Sequence, residues 1–200
     1  MISQNHTSLD QEKGKMVLDS IPWKEELQKL CDELTSIKLP FEYDEDDQSD
    51  FLIERALLYS AFVARLLLDA RKVTDSLNSC CMPVGIIPNS LENPEHIIPL
   101  FRRIPEHDYY DFENETIKSI SCRKILNQII HSFVIPTYEV DKTGSVIGFF
   151  VSSDMQANTQ LFHVKLEHWI SYLETIINDD ITSIKTYFDE KQDKWIEIKA

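Results

Sequence analysis

The residues Phe51 to Asn78, FLIERALLYSAFVARLLLDARKVTDSLN, constrain this chain more than any other stretch. Leu52, Ile53, Ala56, Leu57, Phe62, Val63, Leu66, Leu67 and Val73 recur at helical spacing yet spread over more than one face. A helix apolar nearly all round needs neighbours on several sides, so the spacing predicts a central helix. Ser49 or Asp50 stands ready to cap it, and Arg55, Arg65 and Arg71 punctuate it with Glu54 and Asp69 as available partners.

Three further helices are expected around it. Trp23, Leu27, Leu30, Leu34 and Ile37 recur at three- and four-residue steps behind Ser20 and Pro22, and that helix ends before Pro40. Asn114 precedes a helix predicted from Glu115 to about Phe133, stopped by Pro136. Trp169, Ile170, Leu173, Ile176, Ile177, Ile181, Ile184 and Phe188 predict a last helix over 167–189. Between the last two the period changes. Tyr138 and Val140, the turn sequence DKTGS and then VIGFFVSS read as a hairpin turning at Gly144. TQLFHVKL over 159–166 reads either as a third strand or as the start of the last helix. Five of the eight prolines (Pro83, Pro88, Pro94, Pro99 and Pro105) lie between Met82 and Phe112, where a long helix is excluded.

The expected fold is therefore mainly α: a helical bundle of about four main helices with a small antiparallel β meander before the last helix. Residues 1–20 read as a flexible lead-in, and 21–200 as a single helical domain with an irregular, proline-rich excursion at 82–112. Only 4 glycines in 200 residues agree with few tight turns. No run approaches the roughly 18 apolar residues that span a bilayer, and the first residues lack the basic-then-apolar pattern of a secretory signal. Adjacent Cys80 and Cys81, with Cys31 and Cys122, form no metal-type pair, so reduced thiols and a cytoplasmic location are expected.

The formal net charge of −14 repels nucleic-acid backbones unless positive groups are gathered locally. Glu42, Asp44, Glu45, Asp46, Asp47 and Asp50 crowd one short segment with no base among them. That run reads as a solvated loop capping the next helix, or as a docking strip for a basic protein partner.

The candidate chemistry lies in Cys122 to Val134, CRKILNQIIHSFV. On a helix, Arg123, Asn127 and His131 fall at i, i+4 and i+8 and form one polar stripe beside an apolar arc of Cys122, Leu126, Ile129, Ile130 and Phe133. An arginine can bind phosphate, an amide can orient an imidazole, and an imidazole can move protons near neutral pH. The same stripe is equally a polar seam where two helices meet. His163 and Glu167 have the i, i+4 spacing of two helical metal ligands, with His168 adjacent, but no further ligand lies near, so no metal and no cofactor are expected. Tyr109, Tyr110 and Phe112 form an aromatic cluster that either anchors a partner or clamps the excursion onto the body.

The segment Leu126-Asn127-Gln128-Ile129-Ile130-His131 resembles the motif of HEPN proteins, helical-bundle domains widespread in bacterial toxin–antitoxin and antiphage defence systems. Asn127 and His131 take the family's Asn and His places, Leu126 stands at the Arg place, and Arg123 lies one turn earlier. The long helix after Phe51 is similar to the family's core helix. The resemblance implies an intracellular, metal-independent endoribonuclease or a catalytically degenerate relative, acting as a homodimer on RNA. His131 would act on the 2′-hydroxyl or leaving group, with Asn127 orienting it and Arg123 on the phosphate. The alternative from a different class is a non-catalytic acidic interaction protein, an antitoxin, regulator or scaffold, binding a basic partner through Glu42 to Asp50.

Overall fold

The computed structural model describes residues 19–39, 47–90, 98 and 104–200. The lead-in up to residue 18 and the acids Glu42, Asp44, Glu45 and Asp46 lie outside the described residues.

Four α-helices are present among the described residues, but they do not make a bundle. They back one face of a five-stranded antiparallel sheet, which corrects the expectation of a mainly α helical bundle. The chain runs α1 (Ser20–Ser36), α2 (Asp47–Asp69), β1 (Cys81–Pro88), β2 (Thr116–Ser121), α3 (Cys122–Ile130), β3 (Ser132–Val140), β4 (Val146–Ser153), β5 (Gln160–Lys165), α4 (Leu166–Ile177), β6 (Ile184–Asp189) and β7 (Lys194–Lys199). The sheet order is β2-β1-β5-β4-β3, and β6 and β7 form a separate hairpin.

Each departure from the expected pattern has a local cause. α2 starts in the acidic run, where carboxylates suit the positive end of a helix, and is buried through Ile53, Ala56, Leu57, Ala61, Val63, Ala64, Leu67 and Leu68. It ends at Asp69 rather than Asn78. Arg71 takes a left-handed backbone (φ 53°), its N–H bonds the Leu68 carbonyl, and the Lys72 N–H bonds that of Leu67. These two bonds make a Schellman stop without the usual glycine, so the sequence carries no obvious signal for it.

The excursion expected at 82–112 begins instead with a strand that lies between two others. β1 pairs with β2 over Cys81–Ile86 and with β5 over Gly85–Pro88. Pro83 and Pro88 thus stand where only one neighbour is paired, and their missing N–H groups interrupt no ladder on the other side. The helix expected from Glu115 to Phe133 shrinks to nine residues, because Thr116–Ser121 joins the sheet before it and Ser132 starts β3 immediately after His131. The last helix likewise stops at Ile177, and the β-branched run beyond Asp180 folds back as β6 and β7. The β3–β4 hairpin does turn at Gly144, whose φ of 78° is the left-handed geometry glycine tolerates.

Alternation in the strands separates two cores. Val84, Ile86, Phe149, Val151, Phe162 and Val164 point to the helices and pack with Leu27, Leu57, Leu126 and Trp169. The opposite face carries Ile87, Val134 and Leu161, covered by Ile98 and Tyr110. Trp169, fully buried, meets Phe149 edge-on at 6.0 Å. Burying such a ring contributes on the order of 3 kcal/mol, so this helix–sheet junction is a principal anchor of the fold.

Candidate functional site

Two polar networks hold the residues with chemical potential. The first contains most of the predicted stripe. α3 lies against α2 with Ile125, Leu126 and Ile129 buried between them and the sheet. That places Arg123 and Asn127 along the α2–α3 seam. Asp69 accepts from Arg65 Nε at 2.6 Å and from Arg123 Nη2 at 2.5 Å, while Arg65 Nη1 donates to the Asn127 side-chain oxygen. Burial by itself would raise the Asp69 carboxyl, but the hydrogen bonds and charges of Arg65 and Arg123 outweigh it and hold the group below its ordinary value.

His131 stands apart from that network. It caps the C-terminus of α3, its backbone N–H bonding the Asn127 carbonyl at 3.0 Å, and its side chain is exposed. Among the described residues no hydrogen bond or ion pair joins its ring to Arg123 or Asn127. The structure thus gathers Arg123 and Asn127 around Asp69 and leaves His131 one turn away, next to the start of β3. Gln128, which sequence reasoning passed over, is buried between them and fastens α3 to the sheet by accepting from the Ser153 N–H at 2.9 Å.

The second network was not foreseen. His163 lies on β5, the middle strand, and is 6% exposed. Its Nδ1 is 2.9 Å from Glu115 Oε1 and its Nε2 is 3.1 Å from Glu139 Oε2, which also accepts from Lys165 Nζ at 2.8 Å. Phe150 stacks on the imidazole at 4.4 Å. The space comes from two glycines on the flanking strands. A Cβ on Gly85 would lie 1.7 Å from Glu115 Oε1, and one on Gly148 would lie 3.1 Å from His163 Nε2. The imidazole is thus held at both ring nitrogens, one by each carboxylate. Burial works to raise Glu139, but Lys165 and then His163 overcome it and hold its carboxyl below the ordinary range.

His163 therefore does not join Glu167, the metal-ligand spacing noted in the sequence. His163 is on a strand and Glu167 is in the first turn of α4. Among the described residues no three His, Cys, Asp or Glu side chains are grouped to hold a metal ion. Both ring nitrogens are engaged by carboxylates, so the cluster fixes His163 inside the sheet. A partial signal for it existed: Gly148 in a predicted strand and an alternating LFHVK, which puts His163 on the face opposite Phe162 and Val164.

The remaining candidates are placed as follows. Asp47 begins α2, and Asp50 accepts a hydrogen bond from the Tyr138 hydroxyl. Tyr110 is buried with its hydroxyl donating to the Ala157 carbonyl at 2.7 Å, and Phe112 packs between His107 and Phe150, so these aromatics clamp their loop to the sheet. All four cysteines are free thiols; burial raises Cys31 and Cys122 to about 12, where little reactive thiolate exists. Among the described residues no helix is long and apolar enough to cross a membrane. The chain matches no protein-family model, no curated protein and no solved structure.

Proposed function

We propose that this chain is a non-catalytic acidic interaction protein that holds a basic amphipathic segment of a partner protein. The observation that carries this reading is the outer face of α2. Phe51 (60% exposed), Phe62 (52% exposed), Leu58 and Tyr59 line an open hollow of about 530 Å³, with Glu54 and Arg55 at its rim. Monomeric proteins seldom leave adjoining large apolar side chains in water without a use for them. Phe51 follows directly on the acidic run that ends at Asp50, so apolar anchorage and negative charge adjoin. Arg55 is itself paired with Glu33 at 2.5 Å, which keeps its charge from opposing a basic partner.

The state of Arg123 also supports this reading. A ribonuclease needs a cation on the scissile phosphate, and Arg123 already spends its guanidinium on Asp69. The second reading, a HEPN-like endoribonuclease of a bacterial defence or toxin–antitoxin setting, acting as a homodimer, is favoured by one feature: His131 is exposed one turn beyond Asn127.

Two experiments separate them. Binding of synthetic Lys/Leu amphipathic peptides to the full chain, followed by fluorescence anisotropy, should weaken about tenfold in Phe62→Asp and in a variant neutralised at 42–50, with added salt reducing only the acid-dependent part. Equal affinity in all three proteins would remove this surface. Labelled RNA should remain intact with the wild-type chain; cleavage that disappears in His131→Ala would replace the proposal with the ribonuclease reading.

A further inference from the structure

The β6–β7 hairpin leaves a sheet edge unpaired. The outer side of β7 is held by the body of the protein. Arg71 Nη2 donates to the Glu197 carbonyl at 2.5 Å, and the Lys199 N–H donates to Asp75 Oδ2 at 2.9 Å. Residues 197 and 199 therefore turn their backbone groups away from β6. Their register partners, Thr186 and Ile184, must turn theirs away from β7, and alternation adds Phe188. Among the described residues no hydrogen bond reaches the outward backbone groups of Ile184, Thr186 and Phe188.

The side chains of the hairpin are as uncovered as that edge. Ile184 is 57% exposed and Trp195 71%, with Phe188 meeting Trp195 edge-on at 5.5 Å. A two-stranded hairpin is marginal in water, and stability comes with a third or fourth strand. Natural edges are blunted by proline, a bulge, a cover or like charges; β6 (IKTYFD) has no proline and no bulge, and its two charges, Lys185 and Asp189, are opposite in sign.

We infer that β6 pairs antiparallel with β6 of a second copy of this chain, making a four-stranded sheet β7-β6-β6-β7 about a two-fold axis at Tyr187. Charge selects a second copy as the occupant. In a chain of net charge −14, copies repel over most of their surface. The hairpin itself is neutral: Lys185, Lys191, Lys194 and Lys199 balance Asp189, Glu190, Asp193 and Glu197. The register centred on Tyr187 bonds Thr186 to Phe188 of the second copy. It also sets Lys185 opposite Asp189 of the second copy, and the two-fold repeats that ion pair. The surface is distinct from the α2 hollow, so this inference stands or falls independently of the proposed function.

Sedimentation velocity of the full chain over a rising concentration series should show a reversible monomer–dimer equilibrium. Lys185→Glu sets like charges opposite each other twice and should weaken the dimer roughly tenfold, with part of the loss recovered in high salt. Thr186→Pro should abolish the dimer. The Thr186 N–H points outward, so proline removes an intermolecular bond and no bond of the hairpin itself. Trp195 fluorescence, sensitive to its Phe188 contact, verifies that the hairpin stays folded in both variants. A wild-type chain that remains monomeric overturns the inference and leaves the edge to a strand from another protein. A dimer that tolerates both variants with the Trp195 signal intact overturns it as well.

Discussion

The α2–α3 seam and the His163 cluster are built from similar materials, carboxylates bonded by nitrogen-bearing side chains, and they differ in where the backbone puts them. In the seam, Asp69 and Arg123 are both more than a third exposed, and water competes for every bond. In the cluster, His163 is buried on the middle strand with Phe150 over its ring, so its partners replace water instead of competing with it. The seam looks like a site in the sequence because a helix displays it in order. The cluster is assembled from β3, β5 and the residue before β2, so no single segment displays it in order. A conspicuous motif and an energetically important network are different properties.

The largest expected effect follows from emptying the cluster. His163→Leu removes the buried ring that bonds both Glu115 and Glu139; the loss should be about 3 kcal/mol, measured by urea unfolding. A loss below that of the seam variant described last would break the contrast. Next comes Gly85→Ala. The added methyl occupies the position of Glu115 Oε1, and Glu115 must swing away from His163, at a cost of about 1–2 kcal/mol. Glu115→Ala in the same background should add little further, because the bond is already gone; fully additive losses would show that the methyl acts elsewhere.

The pH dependence is a finer probe. Glu139 is held below the ordinary carboxylate range in the folded chain. Its stabilisation is therefore complete above the ordinary carboxylate range and disappears as the pH falls through the lower folded value. Unfolding free energy should decline on acidification in that window, and Glu139→Gln should flatten the decline. An identical slope in both proteins would remove Glu139 as its source. The smallest effect belongs to the seam. Arg123→Ala should cost about 0.5 kcal/mol, less in high salt, since exposed ion pairs contribute little. A loss above roughly 2 kcal/mol would mean that the α2–α3 junction is closed to water in solution.

The sequence was a good guide where a single element satisfied its own pattern. The α1 stripe, the apolar breadth of α2, the Gly144 turn and the strand reading of TQLFHVKL all describe local chemistry, and each corresponds to an element of the structure. It misled where one pattern ran across a boundary. ETIKSISCRKILNQIIHSF has enough helical spacing to read as one helix, yet it divides into strand, helix and strand, because its ends are satisfied by ladders to β1 and β4. ITSIKTYF continues the spacing of α4 but pairs with KWIEIK, which no property of α4 announces. The helical spacing from Phe51 to Asn78 crosses a boundary in the same way, since α2 ends at Asp69.

What the sequence determined by itself is therefore local: which residues must be buried, where the apolar helices and the one clear turn lie, and that the chain is strongly acidic. Tertiary structure decided the rest. It chose a sheet with helices on one face over a bundle, because Thr116–Ser121 and Ser132–Val140 find ladder partners in β1 and β4. It spent Arg123 on Asp69 and left His131 alone. It also brought Glu139 of β3 and His163 of β5 together with Glu115, the residue before β2, since antiparallel register, and not spacing along the chain, sets which side chains meet.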